Sequence, residues 1–369
     1  MFTRFLFKTH ESIKVIIAIL LSVIIITSFS SCAIKNNSEQ NHLVYYTLND
    51  EDSLSWIIEK YNKYCINSNN PSFQVEIVKF NSEQEMSTQI STEIMAGSGP
   101  DIISLSQKLP FEKLIESRSL MNIYDLLKDD NSSNAINLDD YNSNILNAGV
   151  YDNGLYIVPL FYGVDVLVST EERLKNFDIK ENNGFSLTYS NFSDVFENYF
   201  LNDEGYSFVS NELSDFLWFD YPMQLFCRFL NSYVNFENKA VYFDTDEFKD
   251  NLDVMMQMLT ISQKNNTNEL FDGLYINRSF PLMVGNYSYY QSIDETPVVF
   301  RGLTKNKDVN SAHIQVGYAI NNNTQLKEQA LAFIKYTLSD EIQEIGATAS
   351  GSLSFPVNMS VYDNAKLVA

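Results

Sequence analysis

An α/β fold is predicted by three features of residues 43–105: apolar runs alternating with amphipathic stretches, cap residues ahead of those stretches, and glycine and proline at their ends. Leu43, Val44, Tyr45 and Tyr46 read as a first strand that ends at Thr47, Leu48 and Asn49. Asp50 to Ser53 supply acidic cap candidates for a helix with Leu54, Ile57, Ile58 and Tyr61 along one face. Phe73, Val75 and Ile77 alternate with Gln74 and Glu76, the pattern of a second strand. Ser82 and Glu85 then form a capping box before Met86, Ile90 and Ile94, which recur at helical spacing. Gly97 and Gly99 break that helix, Pro100 prevents its resumption, and Ile102, Ile103 and Leu105 enter a buried strand. Strand, helix, strand, helix, strand is the alternation of a parallel sheet. Asp101 stands at the start of the third strand, while Ser104, Ser106 and Gln107 stand at its far end, where open α/β sheets present their ligand crevice.

Upstream, Arg4, Lys8 and Lys14 precede an uncharged apolar run from Val15 to Phe29, the layout of a secretory signal. Phe29, Ser30, Ser31 and Cys32 follow, and this resembles the lipobox of bacterial lipoproteins. The resemblance implies a signal peptide over 1–31, a mature chain beginning at a lipidated Cys32, and a polar tether over 32–41. The first 31 residues hold three basic and one acidic residue of the chain's 25 and 47, which leaves a mature net charge of −24. That balance repels phosphate backbones, so nucleic acid is not expected as a partner. After Cys32 only Cys65 and Cys227 remain, and nothing in their spacing demands a disulfide; two buried thiols are expected.

Downstream, residues 108–148 read as helices and loops, broken at Leu109 and Pro110, with a linker from Asn131 to Asn134. Asp152, Asn153 and Gly154 mark a hairpin turn. Glu171 to Phe177 reads as a helix. Leu213 to Val234 is apolar and aromatic but carries Asp215, Asp220 and Arg228, so it predicts a buried helix pair and not a membrane span. Asp244 and Glu247 form a second capping box ahead of Phe248, Leu252, Met255, Met256 and Leu259. Pro281 to Val284 reads as a strand ending at Gly285, Asn286 and Tyr287; Ile314 to Ile320 is another, followed by a helix through Leu326, Ala330, Phe333 and Ile334 and one capped by Ser339.

Several of these stretches share one likeness. AGSGPDIISL at Ala96 to Leu105, YYTLNDEDSLSWIIEKYN before it, YDNGLYIVPLFYGVDVLVST after it, the late run VGYAINNNTQLKEQALAFIKYTLSDEIQ and the FPVN of Phe355 to Asn358 resemble, in order, the family 1 extracellular solute-binding proteins. These are the sugar-capture subunits of ABC importers. The resemblance covers most of residues 42–362. It implies a periplasmic binding protein type II-like fold, two α/β lobes joined by crossing hinge strands. Lobe 1 would take 42–162 plus 296–338 and lobe 2 would take 163–295 plus 339–369, with a hinge at Tyr162, Gly163 and Val164 and the helix after Ser339 leading back to lobe 2. It also implies further lobe 2 helices after FPVN, whereas the sequence stops at Ala369.

The chemistry available agrees with binding. His10 lies in the signal, His42 in the tether, and His313 is flanked by polar loop; HExxH, GxSxG and GxxxxGK are all missing, so the expectation is no enzyme, no metal and no cofactor. Asp50, Glu51, Asp52 and the pairs Asp129, Asp130 and Asp139, Asp140 lack calcium-loop spacing and read as solvated caps and turns. Carboxylates that meet only in the fold leave a surface-tethered carbohydrate-active enzyme as one alternative; a non-transport sensor lipoprotein is another. A sugar needs flat aromatic rings and polar groups for its hydroxyl rim. The candidates are Tyr46 and Asn49 after strand one, Ser106 and Gln107 after the third strand, Tyr162 and Asp165 at the crossing, Trp218 and Tyr221 in lobe 2, and Asn286 and Tyr287 before the return. Asp101 reads equally as a brace or a ligand contact. The expected whole is a monomer, lipid-anchored outside the cell membrane, that passes a mono- or oligosaccharide to ABC permease subunits.

Overall fold

The computed structural model describes residues 42–48, 53–107, 109–128, 130–164, 166–170, 229–230, 232–235, 238, 240–264, 275–277, 297–301, 312–348 and 355–366. The chain divides into Met1–Asn41 and His42–Ala369, and every described residue lies in the second unit.

The alternation expected at the start is present. Strand β1 (Leu43–Leu48), helix α1 (Ser55–Asn67), strand β2 (Val75–Phe80), helix α2 (Glu83–Met95) and strand β3 (Ile102–Ser104) follow one another, and β1 pairs in parallel with both β2 and β3. Alternate residues of β1 go to opposite faces of the sheet. Leu43 and Tyr45 join Ile57, Ile58 and Tyr61 of α1 in the main core, whereas Tyr46 and Leu48 face the cluster built on Met86, Ile90 and Ile94 of α2. The Ser82 hydroxyl caps α2 by accepting from the Glu85 N–H at 3.2 Å, but Leu54 begins α1 without a side-chain cap, so Ser53 does not serve there.

Helices α3 (Phe111–Glu116), α4 (Ile123–Lys128) and α5 (Ser143–Asn147) lead to the hairpin of β4 (Val150–Tyr151) and β5 (Gly154–Leu155). Asp152 and Asn153 have φ of 46° and 65°, the left-handed geometry of a two-residue hairpin turn, so the central pair is Asp152-Asn153 and Gly154 opens β5. Strand β6 (Val158–Val164) follows, and one residue later β7 (Val166–Thr170) belongs to a different sheet. Beyond it come the short pair β8 (Val234–Asn235) and β9 (Ala240–Val241), helix α6 (Asp246–Lys264), and strands β10 (Tyr275–Asn277) and β11 (Pro297–Arg301). The cap ahead of α6 is Thr245, whose hydroxyl accepts from the Phe248 N–H at 3.2 Å, in the role expected of Asp244.

Strand β12 (Ala312–Ile320), helices α7 (Lys327–Thr337) and α8 (Asp340–Thr348), strand β13 (Phe355–Pro356) and helix α9 (Met359–Lys366) complete the described chain. The larger sheet runs β13-β6-β12-β3-β1-β2, and the smaller runs β10-β7-β11. Two boundaries differ from expectation. β11, expected with the first lobe, pairs antiparallel with β7 in the smaller sheet. The chain after Ser339, expected in the second lobe, packs on the larger sheet: Ile342 is buried in its core, β13 pairs with β6, and Gly346 lies so close to the Phe161 ring that a Cβ there would collide with it. Burial of Ile342 and Val357 against Phe161 holds this segment there. Ser339 donates its hydroxyl back to the Tyr336 carbonyl at 2.7 Å and so closes α7 instead of capping α8. Cys65 is a free, buried thiol; Cys227 lies outside the described residues.

Candidate functional site

β1, β3 and β6 run in the same direction across the larger sheet; β1 and β3 end at its carboxyl edge, where open α/β sheets form a crevice, and β6 begins level with Ser104 and runs on beyond it. The parallel register of Tyr45 with Ile102 puts Thr47 and Ser104 on one face, two residues further along each strand, and both are buried. A single turn of 3-10 helix, Leu105–Gln107, follows β3. Gln107 is only 1% exposed; its Nε2 donates to the Tyr46 carbonyl and fastens this turn to β1. Its Oε1 has no hydrogen-bond partner among the described residues. Because the tether uses the donor end of the amide, the acceptor end is the one left over.

The other candidates separate. Asp101 is a brace: it is buried, its Oδ2 accepts from the Val44 N–H at 2.8 Å, and its own N–H donates to the Val44 carbonyl at 2.8 Å. Tyr46 packs its ring against Phe80 at 5.0 Å and donates its hydroxyl to Glu93 at 2.8 Å, on the face that α2 covers. Burial, then the Glu93 carboxylate, push that hydroxyl well above the usual tyrosine range. Tyr162 is a core residue, 6% exposed, packed on Phe355 at 5.5 Å with its hydroxyl 3.4 Å from Asn142 Nδ2. β6 is paired on both sides, by β12 and β13, and Tyr162 faces the main core from the stretch of β6 that runs beyond Ser104. Ser106 belongs to the turn beside Gln107. Asn49, Asp165, Trp218, Tyr221, Asn286 and Tyr287 lie outside the described residues.

His313, read as flanked by polar loop, sits in β12 opposite Gly163. Asp130, read as solvated, is ion-paired to Lys335 at 2.7 Å with a side chain only 5% exposed. Among the described residues no group of three or more His, Cys, Asp and Glu is placed to hold a metal ion, and no helix is long and apolar enough to cross a membrane.

A sheet that hands its strands to a second sheet, with polar side chains gathered at its carboxyl edge, defines an α/β protein of the periplasmic solute-binding class, type II-like in fold. Residues 56–369 match the family described as bacterial extracellular solute-binding protein, and the chain belongs to that family. It is therefore an extracytoplasmic solute binder by family. No curated protein sequence matches the chain.

Solved structures share the fold. The ABC substrate-binding protein of Listeria monocytogenes, solved with cycloalternan, is 13% identical with a TM-score of 0.55, over 87% of this chain and 81% of that one. An ABC transporter solute-binding protein of Thermotoga lettingae bound to α-D-tagatose is 17% identical with a TM-score of 0.54, over 89% and 84%. A family 1 extracellular solute-binding protein of Alicyclobacillus acidocaldarius is 13% identical with a TM-score of 0.57, over 89% and 81%.

Proposed function

We propose that the protein captures a neutral mono- or oligosaccharide between two lobes, one on each sheet, and delivers it unaltered to the permease of an ABC importer. The observation that carries this reading is the family match over residues 56–369. Two features support it. β6 passes into β7 across one residue, and β11 and β12 run back beside them, the connectivity that a hinged pair of lobes needs. The free acceptor of Gln107 suits a hydroxyl donor, and a mature charge of −24 disfavours anionic cargo. Solved relatives hold cycloalternan and α-D-tagatose.

In this reading a lipid on Cys32 is the membrane attachment, the protein works as a monomer, and it needs no cofactor. Binding excludes water and orients the sugar; no bond is made or broken, which separates the protein from a tethered glycosidase.

The test is a thermal-shift screen of the purified mature chain against a sugar panel, followed by mass spectrometry of the recovered sugars. A ligand at 100 times its Kd should stabilise the protein by about 2.7 kcal/mol, and its mass should be unchanged. No stabilisation by any sugar, or shortened products, would overturn the reading.

A further inference from the structure

β12 extends past the end of its neighbour. It lies opposite β3 only from Tyr318 to Ile320, but opposite β6 from Ala312 to Tyr318. The stretch before Tyr318 therefore projects beyond Ser104 at the carboxyl edge as a ribbon with β6. Its two faces differ. On one, Tyr162 stands opposite Ile314, and both belong to the main core. On the other, Gly163 stands opposite His313. A Cβ at Gly163 would meet His313 Cε1 at 2.7 Å, His313 Nε2 at 2.8 Å and Gln315 Nε2 at 2.9 Å.

The tip of an imidazole and a primary amide, both from β12, thus fill the space that any side chain on Gly163 would take. A strand glycine marks such a close approach. Both residues are half-buried. Further along β12, a Cβ at Gly317 would lie 3.0 Å from Leu105 Cδ1, so the ribbon runs down to the turn that holds Gln107.

We infer that Gln315 is a further ligand contact of the carboxyl-edge site, with His313 beside it over Gly163; this rests on the solute-binding reading above. An uncharged amide offers one acceptor and two donors, which matches a sugar hydroxyl that both gives and accepts. A carboxylate can use only the donors.

The experiment is isothermal titration of the mature protein with cycloalternan, α-D-tagatose and maltotriose, comparing wild type with Gln315→Ala, His313→Ala and Gly163→Ala. Gly163→Ala keeps both polar side chains but pushes them aside, and circular dichroism checks that each variant is folded. Expected is a loss of about tenfold or more in affinity for whichever sugar wild type binds, in Gln315→Ala and in Gly163→Ala, the size of one ligand hydrogen bond. His313→Ala is expected to fall between them and wild type and to change the preference among the sugars. Wild type binding with Gln315→Ala and Gly163→Ala unchanged would overturn this inference alone. Wild type binding none of the three would overturn the solute-binding reading for this panel, and the inference with it.

Discussion

Asn321 shows how much local geometry one side chain holds. It is 1% exposed, its Nδ2 donates to the carbonyls of Ser98 and Pro100 at 3.0 Å each, and its backbone N–H donates to the Asp101 carbonyl at 2.8 Å. The turn it secures carries Gly97 and Gly99 at φ of 78° and 104°, and it delivers β3 to the site. Asn321→Ala leaves the buried Pro100 carbonyl without a donor and should lower unfolding stability by about 2 kcal/mol, read from urea melts. Tyr162 carries the second prediction at this scale. Tyr162→Ala should cost about 3–5 kcal/mol of stability, whereas Tyr162→Phe should stay near wild type because the hydroxyl contact is 3.4 Å long. Its core position was not legible in the sequence, since its burial depends on Phe355, brought back from far along the chain to pair with it. The glycines and proline of AGSGPD were legible, because their conformational preferences act within a few residues.

At the scale of elements, the amphipathic faces were read correctly where the packing partner was the sheet itself. Met86, Ile90 and Ile94 are all buried as their spacing predicts. Ionic ties across distant segments left no such trace. Lys335 of α7 donates to Asp130 at 2.7 Å, to Ser132 Oγ at 2.6 Å and to Asn134 Oδ1 at 3.1 Å, clamping the turn of 130–134 to the helix. Hydrogen bonds from Lys335 and then Ser132 push the Asp130 carboxyl down to about 2 from an ordinary value of 3.8. A depressed carboxylate contributes stability that is complete above the unfolded value and is lost as pH falls through the folded one. Urea melts of wild type should therefore lose this contribution between about pH 4 and pH 2, while Asp130→Asn should lack that component of the slope. Equal slopes in the two proteins would show that the clamp is energetically silent. Ser82→Ala, which removes the cap of α2, should cost about 1 kcal/mol.

For the whole molecule, the order of strands in the larger sheet was predicted only in its local part. β1, β2 and β3 follow from alternation, but the insertion of β12 between β3 and β6, and the return of β13 to the edge, join residues that no local pattern connects. The same long-range pairing moved β11 to the smaller sheet and α8, β13 and α9 to the larger one. If the attachment is the lipid on Cys32, Cys32→Ala should shift the protein from the membrane pellet to the soluble fraction. Capture by closure makes the sharpest demand on the molecule as a whole. Small-angle X-ray scattering of the mature protein, with and without a saturating sugar identified in the thermal-shift screen, measures it directly. A smaller radius of gyration on saturation is the predicted result, and identical scattering in the two states would contradict closure around the ligand.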